Sequence, residues 1–190
     1  MRSLLHLLKY EGLEPIAQRL GELIAHRVSA ISEIPKKMLV VPVPLFKGRR
    51  RERGFNQAEL LTRGVVRAMR RMRPDWVGEF APGVLARQRA TESQAGLSPH
   101  QRRRNLRGAF FVPDPSRVQG RDVLLIDDIY TTGATARACS QALKRAGAAS
   151  VWVATAARAQ RRQVEALVSP VAEIPKHDDV AIWDGGTIVH

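Results

Sequence analysis

Residues 123–135 read Val123-Leu124-Leu125-Ile126-Asp127-Asp128-Ile129-Tyr130-Thr131-Thr132-Gly133-Ala134-Thr135, and they decide the fold. Four apolar residues in an unbroken run predict a strand buried on both faces, as in a parallel sheet. Two acids stand where that strand is expected to end, and a Thr/Gly turn follows. From about Ala134 to Arg145 the spacing predicts a helix; Gly147 stops it, and Val151-Trp152-Val153-Ala154 begins another strand. A strand, loop, helix and strand in this order make a β-loop-α-β unit. The expected core is therefore an α/β, mostly parallel central sheet with flanking helices on both faces.

Working outward, Leu13, Ile16, Ala17, Leu20, Leu23, Ile24, Val28 and Ile31 recur at helical spacing and predict an amphipathic helix over 13–31. Met38-Leu39-Val40-Val41-Pro42-Val43-Pro44 predicts a buried strand that opens into a loop at its prolines. A second helix is expected over 55–72, with Arg63, Arg67, Arg70 and Arg71 on its outer face; Pro74, Gly78 and Pro82 interrupt the pattern after it. Val84-Leu85-Ala86 and Gly108-Ala109-Phe110-Phe111-Val112 are short strand candidates around a polar stretch, 87–107. Residues 160–168 look helical, and Val180-Ala181-Ile182-Trp183 is a weak strand candidate.

In open α/β sheets ligands bind outside the carboxyl ends of the strands, where Asp127 and Asp128 stand. The turn Thr131, Thr132, Gly133, Ala134 and Thr135 leads into a helix, whose N–H groups and dipole favour an anion. Gly133 lets the backbone approach that anion closely. Carboxylates repel phosphate but accept hydrogen bonds from a vicinal diol, so a sugar phosphate satisfies both halves. Two other readings compete. Apolar residues before Asp-Asp also suit the metal-side strand of P-loop nucleoside triphosphatases, but the chain has no G-x-x-x-x-G-K-[ST] loop. Asp128 and the threonines could also serve only as helix caps, which accounts for one acid and one hydroxyl but not for two acids and three threonines.

The chain has 190 residues, enough for one domain with a real core. Hydrophobic residues are 44% and charged residues 26%, a globular balance. No stretch approaches the ~18 apolar residues of a membrane span, and no leader with a small-residue cleavage site is visible, so the expected location is cytoplasmic. Cys139 is the sole cysteine, which excludes an internal disulfide and a multi-cysteine zinc site. Net charge is +13; residues 47–107 hold sixteen Lys/Arg against five Asp/Glu, nearly the whole imbalance. Such a field concentrates phosphates, although Arg outnumbers Lys 25 to 6 and a solvated arginine-rich surface would look the same. Aromatics are only 5%, so base-stacking platforms are scarce. None of the five histidines has triad or metal-ligand spacing, and nothing identifies a general base.

Residues 123–135 closely resemble the motif by which type I phosphoribosyltransferases bind 5-phosphoribosyl-1-pyrophosphate (PRPP). Two further segments narrow the resemblance to the ComF family. One runs from Val41-Pro42-Val43-Pro44-Leu45 through Arg49, Arg53-Gly54-Phe55-Asn56-Gln57 and Leu60-Leu61. The other runs from Arg89 through Thr91, Ser93-Gln94, Gly96-Leu97-Ser98, Arg103 or Arg104 and Asn105 to Gly108-Ala109-Phe110. The resemblance covers roughly 38–158 and implies a type I phosphoribosyltransferase-like fold with a small hood and flap. It implies that Asp127 and Asp128 bind the ribose hydroxyls and that Thr131, Thr132, Gly133, Ala134 and Thr135 hold the 5′-phosphate. Pro42, Val43, Pro44, Arg49 and Arg53 would form the pyrophosphate loop, and Arg89, Ser93, Gln94, Arg103, Arg104 and Asn105 would belong to a flexible flap. Mg²⁺ would bridge ligand oxygens without direct protein ligands. The arginines of both segments, Arg87 included, have the forked donors that suit phosphate oxygens.

The implied role is that of a PRPP-binding accessory of DNA uptake in natural transformation. Partners would be PRPP, competence-machinery proteins and, through weak contact, single-stranded DNA. The alternative is a catalytically active phosphoribosyltransferase acting on an unidentified base or amine; a third reading is a ligand-binding scaffold. ComF-like chains commonly begin with a cysteine-rich zinc ribbon that has no counterpart here, so no zinc is expected. The sequence divides into a helical segment (1–37) packing on the core, a phosphoribosyltransferase-like domain (38–158) and a C-terminal extension (159–190) of open role. Asn56 and Gln57 read either as the opening of the second helix or as support for the pyrophosphate loop. Tyr130 reads as packing beside the turn, and Cys139 as a small core residue.

Overall fold

The computed structural model describes residues 14–46, 54–88, 106, 108–158, 180–183 and 188–189. Helix α1 spans Glu14–Ser29, strand β1 Lys37–Pro42, helix α2 Gln57–Met72 and strand β2 Val77–Phe80. The short strands β3 (Ala86–Arg87) and β4 (Phe110–Phe111) follow, then β5 (Asp122–Tyr130), helix α3 (Ala134–Arg145), β6 (Ser150–Arg158), β7 (Val180–Trp183) and β8 (Ile188–Val189). Six strands form one sheet in the order β2-β1-β5-β6-β7-β8; every pair is parallel except β7 with β8. The expected type I phosphoribosyltransferase architecture is present. Strands β7 and β8 extend this sheet, whereas the expected helix over 160–168 lies outside the described residues.

Alternation along the central strands builds two cores. Leu39, Val41, Val123, Leu125, Val151 and Val153 face α3, burying Ala136, Cys139 and Leu143. Met38, Val40, Leu124, Ile126 and Ala154 face α1 and α2, burying Leu20, Ile24, Leu61, Val65 and Met69. This two-sided burial is why the strands read as continuous apolar runs. The β1-α2-β2 and β5-α3-β6 crossovers leave the sheet centre in opposite directions and lie on opposite faces, as a shared right-handed crossover requires.

Three departures from the sequence reading have clear causes. Strand β5 does not stop at Ile126 but continues to Tyr130, because β6 offers a parallel partner as far as Tyr130↔Arg158. Strand β2 falls where Pro74, Gly78 and Pro82 announced only interruption. Gly78 is needed there because the Trp76 ring occupies the space of a Cβ. Val84 and Leu85 are buried outside the strand, and pairing begins only at Ala86↔Phe111 and Arg87↔Phe110. Helices α1 and α2 meet backbone to backbone: a Cβ on Gly21 would lie 2.8 Å from the Gly64 Cα.

Candidate functional site

The carboxyl ends of β1 and β5, the turn into α3 and the start of α2 converge on one edge of the sheet. Register sets the convergence. Pro42 pairs with Ile126, and Val43 N–H donates to the Ile126 carbonyl at 2.9 Å, immediately before the acidic pair.

Asp127 and Asp128 are both partly buried, and Asp128 N–H donates to Asp127 Oδ1 at 2.9 Å. Burial of the Asp127 carboxyl pushes its pKa well above the usual carboxylate range. The neighbouring charge of Asp128 adds to the rise, while the Asp128 amide and the Arg87 guanidinium oppose it. Arg87 reaches this region from β3, its guanidinium 5.4 Å from the centroid of the Phe110 ring. Its role as a counter-charge to Asp127 is a tertiary feature; the sequence placed it only among phosphate-facing arginines. Cys139, in the core beneath, has its thiol pKa raised by burial and then by Asp127.

In the turn after β5 neither Asp128 nor a threonine occupies the cap position of the next helix. The N-cap of α3 is Gly133, at φ 71° and ψ 3°, which brings no side-chain cap of its own. The φ requires glycine, and so does Tyr130, whose ring lies where a Cβ would project. Tyr130 thus packs beside the turn as expected. Thr131 is exposed, Thr132 and Thr135 are partly buried, and Ala134 is buried. The Thr132 hydroxyl is buried without a hydrogen-bond partner, an arrangement that costs stability unless something else satisfies it. A glycine-started helix beside an orphaned hydroxyl fits an anion.

On the β1 side, Pro42 and Val43 are buried and Pro44 is half-buried. Asn56 opens the second helix, as one of its two sequence readings has it, and also contacts the end of β1. Its Oδ1 accepts from Ala58 N–H at 3.1 Å, capping α2, while its Nδ2 donates to the Val43 carbonyl at 3.1 Å. Arg49, Arg53, Arg89, Ser93, Gln94, Arg103, Arg104 and Asn105 lie outside the described residues. On α2 the outer arginines are engaged by protein. Arg63 lies 4.6 Å from the Phe80 ring centroid; Arg70 donates to the Gly78 carbonyl, Arg71 to Glu22 and Arg67 to Gln18. Among the described residues no group of three His, Cys, Asp or Glu could hold a metal, and no helix is long and apolar enough to cross a membrane.

The acidic pair and the glycine-started helix thus stand together at the carboxyl edge of a parallel sheet in an α/β protein. The chain belongs to the phosphoribosyl transferase domain family, whose model matches residues 63–186. The DNA utilization protein YhgH of Escherichia coli (strain K12) is 37% identical over 159 residues, which cover 80% of this chain and 65% of that protein. Competence protein F of Haemophilus influenzae is 34% identical over 122 residues, 63% of this chain and 50% of that one. Competence protein ComFC of Bacillus subtilis is 34% identical over 115 residues, 60% and 42% of the two chains. The chain thus spans less than two thirds of the length of these relatives. A solved hypoxanthine phosphoribosyltransferase from Staphylococcus aureus overlays 80% of this chain and 70% of its own, at 15% identity and a TM-score of 0.42.

Proposed function

We propose that this protein binds PRPP together with Mg²⁺ at the carboxyl edge of the sheet and serves as an accessory of DNA uptake or utilisation. The observation that carries the ligand is the continuity of the acidic pair with the glycine-led start of α3, where the Thr132 hydroxyl is buried and unpartnered. Asp127 and Asp128 accept hydrogen bonds from the ribose hydroxyls, and the turn from Thr131 to Thr135 takes the 5′-phosphate on backbone N–H groups and hydroxyls. The pyrophosphate lies over the end of β1, beyond Pro42 and Val43. Magnesium, carried on ligand oxygens beside the acidic pair, would neutralise pyrophosphate charge. The cellular role rests on the relatives named for DNA utilization and competence.

A ligand that reaches a hundred times its dissociation constant adds ~2.7 kcal/mol of stability, a midpoint rise of roughly 5–10 °C for a chain of this size. Thermal unfolding with PRPP and Mg²⁺ is expected to show that rise in the wild type and none in Asp127→Asn/Asp128→Asn. No rise in the wild type overturns the assignment. Release of pyrophosphate from PRPP with a nucleobase present would instead favour the catalytically active reading.

A further inference from the structure

We infer that Asn56 is a positioning residue that sets the pyrophosphate-facing half of the site by holding the Val43 carbonyl. The inference rests on the PRPP reading above and refines it. Val43 is the last residue fixed by the sheet, since its N–H donates to the Ile126 carbonyl at 2.9 Å. Its own carbonyl is taken by Asn56 Nδ2 at 3.1 Å. These two bonds lock both sides of one residue, and with them the plane of the Val43–Pro44 peptide. Pro44 has no N–H and confines Val43 to extended backbone. The direction in which the chain leaves the sheet is therefore set by the carbonyl that Asn56 grips, and the first backbone donors beyond it are Leu45 and Phe46.

The same carboxamide caps α2 through Oδ1, so one side chain, 4% exposed, ties the end of β1 to the start of a helix across thirteen positions of sequence. A cap alone needs only an acceptor, which Ser, Asp or Thr would supply. The donor half of the amide has no capping function; its one described partner is the Val43 carbonyl. A ribose held on Asp127 and Asp128 with one phosphate in the α3 turn extends its other phosphates over the end of β1, because β1 is the neighbour of β5 on the side away from β6. The clip thus bears on one end of the ligand and not on the other.

Asn56→Ser keeps a capping acceptor and removes the donor; Asn56→Asp keeps the shape and the cap and sets a second acceptor against the Val43 carbonyl. Titration calorimetry on the full chain would compare inorganic pyrophosphate with Mg²⁺ against ribose 5-phosphate. In both variants the pyrophosphate dissociation constant is expected to rise about tenfold, with that of ribose 5-phosphate within about twofold of wild type. Unchanged pyrophosphate binding overturns the inference, and so does an equal loss for both probes, which would mark general loosening. Failure of both variants to fold overturns it as well, since Asn56 would then be a structural residue alone. If the wild type binds neither probe, the PRPP reading itself fails, and the inference falls with it.

Discussion

At the scale of one residue, Asp127 is a carboxyl whose buried placement costs stability. Its pKa in the folded chain lies well above the ordinary 3.8, chiefly through burial and then through Asp128. Between the unfolded and folded values the native state keeps a proton that the unfolded state has released. Stability therefore falls as pH rises through that window, and the penalty is complete above it. Asp127→Asn preserves an acceptor for the Asp128 amide and removes the charge. The ligand-free variant is expected to melt higher than wild type near neutral pH, with the gain vanishing below about pH 4, where the wild-type carboxyl is protonated in both states. Parallel midpoint-versus-pH curves for the two proteins would refute this account. The acidic pair itself was plain in the sequence, because two adjacent carboxylates after an apolar run have few structural uses. Its burial, and the approach of Arg87 from β3, depend on tertiary placement that no local pattern encodes.

At the scale of elements, the sequence revealed most where local chemistry agreed with tertiary context. Helix α3 runs from Ala134 to Arg145 as its spacing predicts, and Gly133 and Gly147 bracket it with positive φ. Strand β2 escaped because its buried position is Gly78, which gives no hydrophobic signal, and because prolines flank it. Strand β5 outran its predicted end because aspartates are poor strand formers by propensity, yet the ladder to β6 holds them extended. The α1–α2 contact was likewise hidden: Gly21 and Gly64 look like weak points of two helices, yet they let the two helix backbones meet. Gly21→Ala would raise helix propensity but drive a methyl group into the Gly64 backbone. Such overpacking costs about 1–3 kcal/mol, a midpoint fall of about 2–10 °C. Calorimetry should find that loss with the ligand-induced shift intact, since the contact is remote from the site; a stabilised variant would refute the close packing.

For the whole molecule, charge and topology point in different directions. The basic third suggested a nucleic-acid surface, yet the outer arginines of α2 are turned to protein partners: Phe80, Gln18, Gly78 and Glu22. Single-stranded DNA is therefore expected to bind with a shallow salt dependence, log K against log salt falling with a slope no steeper than about −2, or roughly three phosphates. Fluorescence anisotropy with an oligothymidylate over a salt series checks this, and a slope beyond about −4 would show a dedicated DNA face. Topology divides the site in another way. Strand β5, the turn, α3 and β6 are consecutive in the chain, whereas β1 must find β5 across the intervening sequence, Leu39 beside Val123. Loop-closure entropy favours assembly of the consecutive unit over joining the distant strand. The acidic pair and the turn after it thus belong to a unit that closes on itself, while the Val43–Asn56 clip belongs to a seam between that unit and the rest. The proposed ligand, bridging both, would act as a bolt across this seam, its grip felt less in how fast the protein forms than in how slowly it comes apart.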